Sequence, residues 1–447
     1  MRRLSQFRWT LFGVGFALGA CEHRAGTVRA RELTLVIGQD TRGVLEPCGC
    51  DGEVTGSMDA LVGSIRTLRN AREATLVLLG GEILAPADHA VVPGPQALAK
   101  SAAFSRIVAD AKVDVLAPAP DSAAQTALEL RSLSLESGAS LIAASATGPC
   151  ATALREVAGL RVGLLGACPD AQRAVRALRA QSAELVLGIS HQKDETWASL
   201  PRADQPDAII AFAAPADGLD VRRGVLQIRP GTDAGSLAVV TLRLDHRPPV
   251  GWTLAAGREG GHASDGRTAR MERVRLGRAS PLDRAVRSAL DRLYEALPAE
   301  TPPAASPSPH DAPGGAYVGS RTCAACHAED YVVWRRSAHG EAYNVLERRH
   351  RQRDLECVPC HVTGFGVPGG SLVPPFGDLA AVGCEACHGP SGPHADDPSS
   401  PPGPAPLGGA EAQCSTCHDP EHSPGFDRTR GLTTVMDQGH ARLAGQR

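Results

Sequence analysis

Cys323-Ala324-Ala325-Cys326-His327, Cys357-Val358-Pro359-Cys360-His361, Cys384-Glu385-Ala386-Cys387-His388 and Cys414-Ser415-Thr416-Cys417-His418 are four copies of one pattern. The C-x-x-C-H spacing is that of a c-type haem attachment site. Two thiols add across the vinyl groups of one porphyrin edge, and the adjacent imidazole is placed to bind the iron. Pairs of C-x-x-C also build four-cysteine zinc ribbons. A ribbon does not need His after each pair, yet all four pairs here carry one. The surrounding text is rich in Gly, Pro and charge and poor in long aliphatic runs. A region so short of apolar side chains needs another centre. Four covalently attached haem c groups would supply it, with proximal iron ligands His327, His361, His388 and His418.

Outward from these motifs, the amino end reads as an export signal. Met1-Arg2-Arg3-Leu4-Ser5-Gln6-Phe7-Arg8 is basic, and an apolar run follows from Trp9 to Ala20. The run is too short for a spanning helix. It closes on Leu18-Gly19-Ala20-Cys21, which resembles a bacterial lipobox with Cys21 as the acylated mature terminus. An ordinary cleaved signal ending near a cysteine is the plainer alternative. The lipobox reading predicts a lipoprotein signal peptide over 1–20 and a tether over 21–31. The product is then membrane-anchored rather than membrane-spanning, facing the periplasm or cell surface. Arg2-Arg3 raises twin-arginine export. Haem c attachment to an unfolded exported chain fits the general secretory route better.

The chain has 447 residues, enough for two or three domains, and a net charge of −3. There is no basic footprint for nucleic acid. Thirteen cysteines suit an oxidising compartment. Eight belong to the haem motifs and one to the lipobox, leaving Cys48, Cys50, Cys150 and Cys168. Cys48 and Cys50 are too close for an easy mutual bridge. Each is therefore expected to pair with Cys150 or Cys168, with a four-thiolate metal site as the alternative.

Residues 32–245 alternate between short β-branched runs and helical periodicity. Strands are expected at Leu33–Ile37, Leu76–Leu79, Val113–Leu116, Leu141–Ala144, Val162–Leu165, Leu185–Ile189, Ala208–Ala211 and Leu237–Leu244. Helices are expected at Met58–Arg72, Gln96–Ala111 and Ala171–Ala183. The pattern predicts an α/β sandwich. Residues 246–298 read as an extension with one helix near Leu282–Leu297. Residues 299–316 read as a Pro-rich linker, and residues 317–447 as a small region of helix and loop.

The order of elements in 32–245, with Gly38-Gln39-Asp40-Thr41-Arg42-Gly43, Gly80-Gly81-Glu82, Ile189-Ser190-His191 and Gln227-Ile228-Arg229-Pro230-Gly231, resembles the calcineurin-like metallophosphoesterases of 5′-nucleotidase type. That family holds two metals. Asp40 and His191 match its ligands. Arg42 stands where a His belongs, Glu82 where an Asp belongs, and Pro118-Ala119-Pro120-Asp121 where an Asn-His belongs. Ala211-Phe212-Ala213-Ala214 has neither late His. Two remaining ligands do not hold a dinuclear centre. The resemblance therefore implies a retained scaffold without the metals, and phosphoester hydrolysis is the least favoured function.

Trp334-Arg335-Arg336-Ser337-Ala338-His339, Cys360-His361-Val362-Thr363-Gly364-Phe365 and Cys387-His388-Gly389-Pro390-Ser391-Gly392-Pro393-His394 resemble the tetrahaem cytochrome c family that takes electrons from hydroxylamine oxidoreductase, the cytochrome c-554 type. The resemblance implies closely packed haems that pass electrons to redox protein partners. It also implies His339, His394 and His440 as distal iron ligands, with His350 and His422 as exposed side chains. Three distal imidazoles for four irons leave one position open, on the haem of His361. That haem raises an alternative function, the reduction or oxidation of a small nitrogen or oxygen species. No acid or base in the sequence is placed to serve as a catalytic residue, and oligomeric state is not legible.

Overall fold

The fold is taken from a computed structural model. It describes residues 31–46, 56–84, 94–120, 127–191, 195–212, 214, 216–231, 234–244, 251–255, 267–299, 315–403, 410–419, 423 and 425–437. Cys21, Cys48, Cys50, Asp121, Ala213, His422 and His440 lie outside the described residues.

The amino-terminal part is an α/β sandwich. Its first sheet has seven strands. These are β1 (Arg31–Gln39), β2 (Thr75–Gly81), β3 (Val115–Pro118), β4 (Ser140–Leu141), β11 (Ser236–Leu244), β12 (Trp252–Leu254) and β13 (Arg267–Arg275), ordered β12-β13-β11-β1-β2-β3-β4. The second sheet has six strands. These are β5 (Thr152–Val157), β6 (Leu160–Gly166), β7 (Leu185–Ser190), β8 (Ala208–Ala211), β9 (Gly218–Arg222) and β10 (Val225–Arg229), ordered β5-β6-β7-β8-β10-β9. Side-chain parity decides which residues meet. Leu33, Leu35 and Ile37 of β1 point at the second sheet and pack with Val162, Leu164, Leu185, Leu187 and Ile210. Val36 points the other way, onto helices α1 (Met58–Ala71), α2 (Pro95–Asp110) and α3 (Ala127–Ser137). Both faces of the central strands are buried, which is why they read as continuous apolar runs. On the far side α4 (Ala171–Ala180) covers Leu165, Val186 and Ile209, with Trp197 of the short α5 (Glu195–Ala198) beside it.

The segment expected as an extension continues this sandwich. Antiparallel β13 pairs with β11 from Ser236↔Arg275 to Arg243↔Thr268. Helix α6 (Arg284–Ala296) buries Val286, Leu290 and Tyr294 in the same core as α1 and α2. Asp283 caps α6 by accepting hydrogen bonds from the Ala285 and Val286 amides.

The cysteine expectation is corrected. Cys150 is bonded to Cys168, their Cα atoms 5.2 Å apart. The reason is β5, a strand absent from the sequence reading. It runs antiparallel to β6, from Thr152↔Leu165 to Val157↔Leu160. Cys150 therefore enters the hairpin opposite the point where Cys168 leaves it. With both sulfurs consumed, neither bridges from Cys48 and Cys50 to this pair nor a four-thiolate metal site can form.

The carboxyl-terminal region is helix and loop. Its helices are α7 (Ser320–Cys323), α8 (Ala328–Arg335), α9 (Ala342–Arg348), α10 (Val358–His361), α11 (Cys384–His388), α12 (Gly392–Asp396), α13 (Ala410–Cys417) and α14 (Arg428–Asp437). Its buried apolar cluster, among the described residues, is Tyr343, Leu346, Val358, Val362 and Phe376. Among the described residues no helix is long and apolar enough to cross a membrane.

Candidate functional site

Motifs two and three each occupy a single helical turn, and motif four closes α13. Motif two is α10 with Cys357 at its N-cap, and motif three is α11. Motif one runs from the end of α7 to His327, the N-cap of α8. In every motif a helical turn brings the two thiols and the following imidazole to one side. All eight motif cysteines are unbridged, and only Cys326 is fully exposed. Thiols of different motifs lie side by side. Cys323 lies beside Cys384, and Cys360 beside Cys417. The attachment points of motifs one and three therefore adjoin, as do those of two and four.

Polar links set this arrangement. Glu385, inside motif three, is 1% exposed. Its carboxylate accepts hydrogen bonds from the amides of Val318 (3.0 Å), Gly319 (2.8 Å) and Ser391 (2.9 Å). A buried carboxylate is tolerated where amides satisfy it. Here it ties the approach to motif one onto motif three. Ser320 Oγ accepts from Cys384 N at 3.1 Å, reinforcing that link. Thr363 Oγ1 donates to Ala381 O and accepts from Gly383 N, both at 2.7 Å, and so joins motif two to motif three. Trp334 Nε1 donates to Val382 O at 2.9 Å, and Val382 N donates to His339 O at 3.2 Å. These residues carry no sequence signal beyond their place beside the motifs, although a charged Glu385 between two motif cysteines is a hint.

The imidazoles are oriented as ligands. His361 Nδ1 bonds to Ala342 O at 2.7 Å, and His394 Nδ1 to Ser400 O at 2.6 Å. His418 Nδ1 lies 3.1 Å from Ser423 Oγ. A carbonyl at Nδ1 fixes the tautomer with its lone pair on Nε2, the usual outer-shell device at metal sites. His339 faces His418, their ring centres 6.3 Å apart. Two imidazoles on opposite sides of one metal stand about 6 Å apart, given metal–nitrogen bonds of about 2 Å. Burial first, and then the neighbouring His418, push the pKa of His339 below the usual histidine range. His350 instead meets Glu295 at 3.2 Å. His327 has Asp330 3.9 Å from its Nδ1. Paired thiols outside any disulfide, imidazoles with Nδ1 engaged and a His–His spacing of ligand size all fit haem c.

The amino-terminal cleft does not fit a metal pair. Arg42 Nε pairs with Glu82 Oε2 at 2.9 Å. Asp40 Oδ1 accepts from Glu82 N at 2.9 Å and fills the space that a Gly81 Cβ would need. Phe212 presses on Gly80 and stacks on His191, ring centres 5.2 Å apart. His191 Nε2 is taken by Ala117 O at 3.0 Å. A guanidinium and a benzene ring thus stand among the two matching ligand residues. Among the described residues no three His, Cys, Asp or Glu side chains converge to hold a metal.

A family model described as cytochrome c554 and c-prime matches residues 322–389, spanning the first three motifs. Cytochrome c-554 of Nitrosomonas europaea is 34% identical over 96 residues, which is 18% of this chain and 40% of that protein. The chain thus covers less than half of that relative's length. Among solved structures, a 5′-nucleotidase precursor from Thermus thermophilus is 16% identical, covers 59% of each chain and gives a TM-score of 0.43. The sulfate thiohydrolase SoxB of the same organism is 15% identical over 58% of this chain and 60% of its own, with a TM-score of 0.44. Residues 322–389 are therefore similar to cytochrome c554, a family that implies covalently bound haem c.

Proposed function

We propose that the chain is a tetrahaem c-type cytochrome that carries electrons outside the cytoplasm, anchored by an acylated Cys21. The observation that carries the reading is the mutual contact of motifs: thiols of one against three and two against four, with His339 of the first segment facing His418 of the fourth. Bound there, the haems supply one-electron redox chemistry. The chain's part is to attach, orient and insulate them. Cys323/Cys326, Cys357/Cys360, Cys384/Cys387 and Cys414/Cys417 hold the porphyrins. His327, His361, His388 and His418 bind iron from one side. His339, facing His418, would offer a second imidazole to the same iron, and His394, with Nδ1 on Ser400 O, would offer Nε2 to another. Glu385 and Thr363 keep the motifs at fixed separation, which favours transfer among neighbouring centres over transfer to solvent.

Intact mass of the exported protein tests the count and should exceed the apoprotein by four haems. A colourless, zinc-loaded product would overturn the proposal. Changing Cys21 to Ser should release the protein from membranes, and unchanged membrane retention would refute the anchor.

One observation favours a second reading. Motif two is set among Tyr343, Val358, Val362, Phe365 and Phe376, an apolar and aromatic surround. Such a wall suits a small uncharged ligand at an open iron. Carbon monoxide binding to one haem in four, with a high-spin signal at rest, would support turnover of a small nitrogen or oxygen species. A fully low-spin spectrum indifferent to carbon monoxide leaves electron transfer alone.

A further inference from the structure

The amino-terminal sandwich grips one place in the haem region, residues 350–357, which lead into the second motif. Gln96, at the start of α2 and 3% exposed, uses both ends of its amide there. Its Nε2 donates to Arg353 O at 2.8 Å, and its Oε1 accepts from Leu355 N at 3.2 Å. Lys100, one turn on, pairs with Asp354, whose side chain is fully buried, and with Glu356 at 2.9 Å. Arg351 is clamped from the sandwich side. Glu46 binds its guanidinium and also binds Arg287, and the Tyr294 ring lies under it, 3.8 Å from its Cζ. The other end of Arg351 reaches the haem region, where Nη1 is 3.3 Å from Asp354 Oδ2 and 3.8 Å from Cys357 Sγ.

A buried, alternating set of charges therefore runs from the sandwich to the sulfur of one attachment site. Such a set costs desolvation and is weak evidence for stability alone. Three cations, Lys100, Arg287 and Arg351, stand among five carboxylates: Glu46, Asp354, the exposed Glu356, and Asp59 and Asp291, which also pair with Arg287. Asp354, Arg351 and Lys100 all lie within electrostatic reach of Cys357 Sγ.

We infer that the amino-terminal sandwich is a redox-tuning partner for the second haem, with Glu46, Gln96 and Lys100 as positioning residues that fix Arg351 and Asp354 beside Cys357. The inference rests on the haem reading above. Reduction adds one electron to the iron of that haem and one negative charge to the site. A nearby cation favours the reduced state and a nearby anion the oxidised state, both more strongly in a buried site than in water. The sandwich sets Glu46 against Arg351 and Lys100 against Asp354, so these two contacts pull the potential in opposite directions.

Redox titration of full-length holoprotein, following each haem's optical and EPR signal, tests this. The second haem is identified as the signal lost in the Cys357→Ala/Cys360→Ala double variant. Glu46→Gln leaves the Arg351 guanidinium less neutralised and should raise that one potential. Lys100→Met leaves Asp354 uncompensated and should lower it. Each shift should be on the order of a tenfold change in the reduced-to-oxidised ratio, about 59 mV for one electron. Lys100→Arg should restore the wild-type value, and the other three potentials should stay put. Shifts of the same sign in both variants, equal shifts in all four haems, or no shift overturn the inference. Where a variant fails to accumulate, amide exchange on the wild-type holoprotein decides. Leu355 N, bonded across the contact to Gln96, should be protected as well as the β1 amides, and loop-rate exchange there overturns the inference. A mass lacking haem at motif two would instead refute the haem reading.

Discussion

The two halves of this molecule obtain their cores differently. In the amino-terminal sandwich Leu33, Leu35 and Ile37 face one layer and Val36 the other, and each finds apolar partners from the same chain. In the carboxyl-terminal region the buried set is small, and half of the helices are single turns, held by point contacts such as Glu385 and Thr363. The first half folds by burying its own side chains, whereas the second positions thiols and imidazoles around something the polypeptide does not provide. The difference also separates what each half can lose. The sandwich keeps its shape while its cleft is filled by Arg42 and Phe212. The haem region, with so small a buried set of its own, is expected to lose its shape without haem.

The strongest way to break that contrast is to withhold haem. Expressed in a host without haem-attachment machinery, the chain should retain a protease-resistant core ending near Leu297, while residues 315–437 should be digested completely. Limited proteolysis with mass analysis reads both outcomes together. A resistant apo carboxyl-terminal region would mean that its own side chains suffice.

Next in size is the staple inside the haem region. Glu385→Ala leaves the buried amides of Val318, Gly319 and Ser391 without their acceptor. Unsatisfied buried donors cost about 1–3 kcal/mol each, so a loss of roughly 3 kcal/mol or more is expected. It should appear in denaturant melts followed at the haem absorption, with the sandwich's far-ultraviolet transition unmoved. If both transitions shift together, the two halves are one cooperative unit and the contrast must be redrawn.

The converse test sits in the sandwich. Replacing Cys150 and Cys168 by Ala opens a loop of sequence separation 18. A loop of that size is worth about 3 kcal/mol, chiefly through the unfolded state. Urea melts should show this in the sandwich transition, with haem spectra unchanged.

What could be read from the sequence follows the same division. Strands buried on both faces, such as Leu76–Leu79 and Leu185–Ile189, announce themselves as apolar runs, and the observed β2 and β7 contain them. Strand β5, Thr152–Val157, is an edge strand with partly exposed residues and a central Arg155, and β13 runs Arg267–Arg275 with charges throughout. Neither carries a periodic apolar signal, because pairing rather than burial makes them strands. Missing β5 is what misdirected the cysteine pairing. Helix α3 was hidden similarly, since Leu128 and Leu135 are exposed and only Leu130 and Leu133 are buried. In the haem region the reverse holds. The motifs are legible at a glance because covalent chemistry fixes their spacing, but the contacts that arrange them are not. Glu385, Thr363 and the Gln96–Lys100–Glu46 grip use common residue types whose partners are distant in sequence.

The smallest expected effect comes from His191, the one histidine of the sandwich that matches the metallophosphoesterase pattern. It is 8% exposed, with Nε2 on Ala117 O and its ring against Phe212. Its Nδ1 is buried without a partner. Burial outweighs the bond to Ala117 and lowers its pKa from 6.5 to about 4. A second proton would have to enter at an atom with no acceptor, so the ring stays neutral in the fold. The unfolded chain takes that proton below about pH 6.5, whereas the folded chain refuses it until about pH 4. The neutral form's contribution is therefore complete above the unfolded value and is lost as pH falls through that window. At pH 5 the sandwich should be about 2 kcal/mol less stable than at pH 7 from this group alone, at 1.36 kcal/mol per unit. His191→Gln, which cannot titrate, should flatten the urea midpoint between pH 7 and pH 5. An undiminished slope in that variant would assign the acid sensitivity elsewhere. A slope that steepens when divalent metal is added to the wild type, because only the neutral imidazole binds a metal, would show that His191 still serves as a ligand, and that this half, too, is organised around something the chain does not provide.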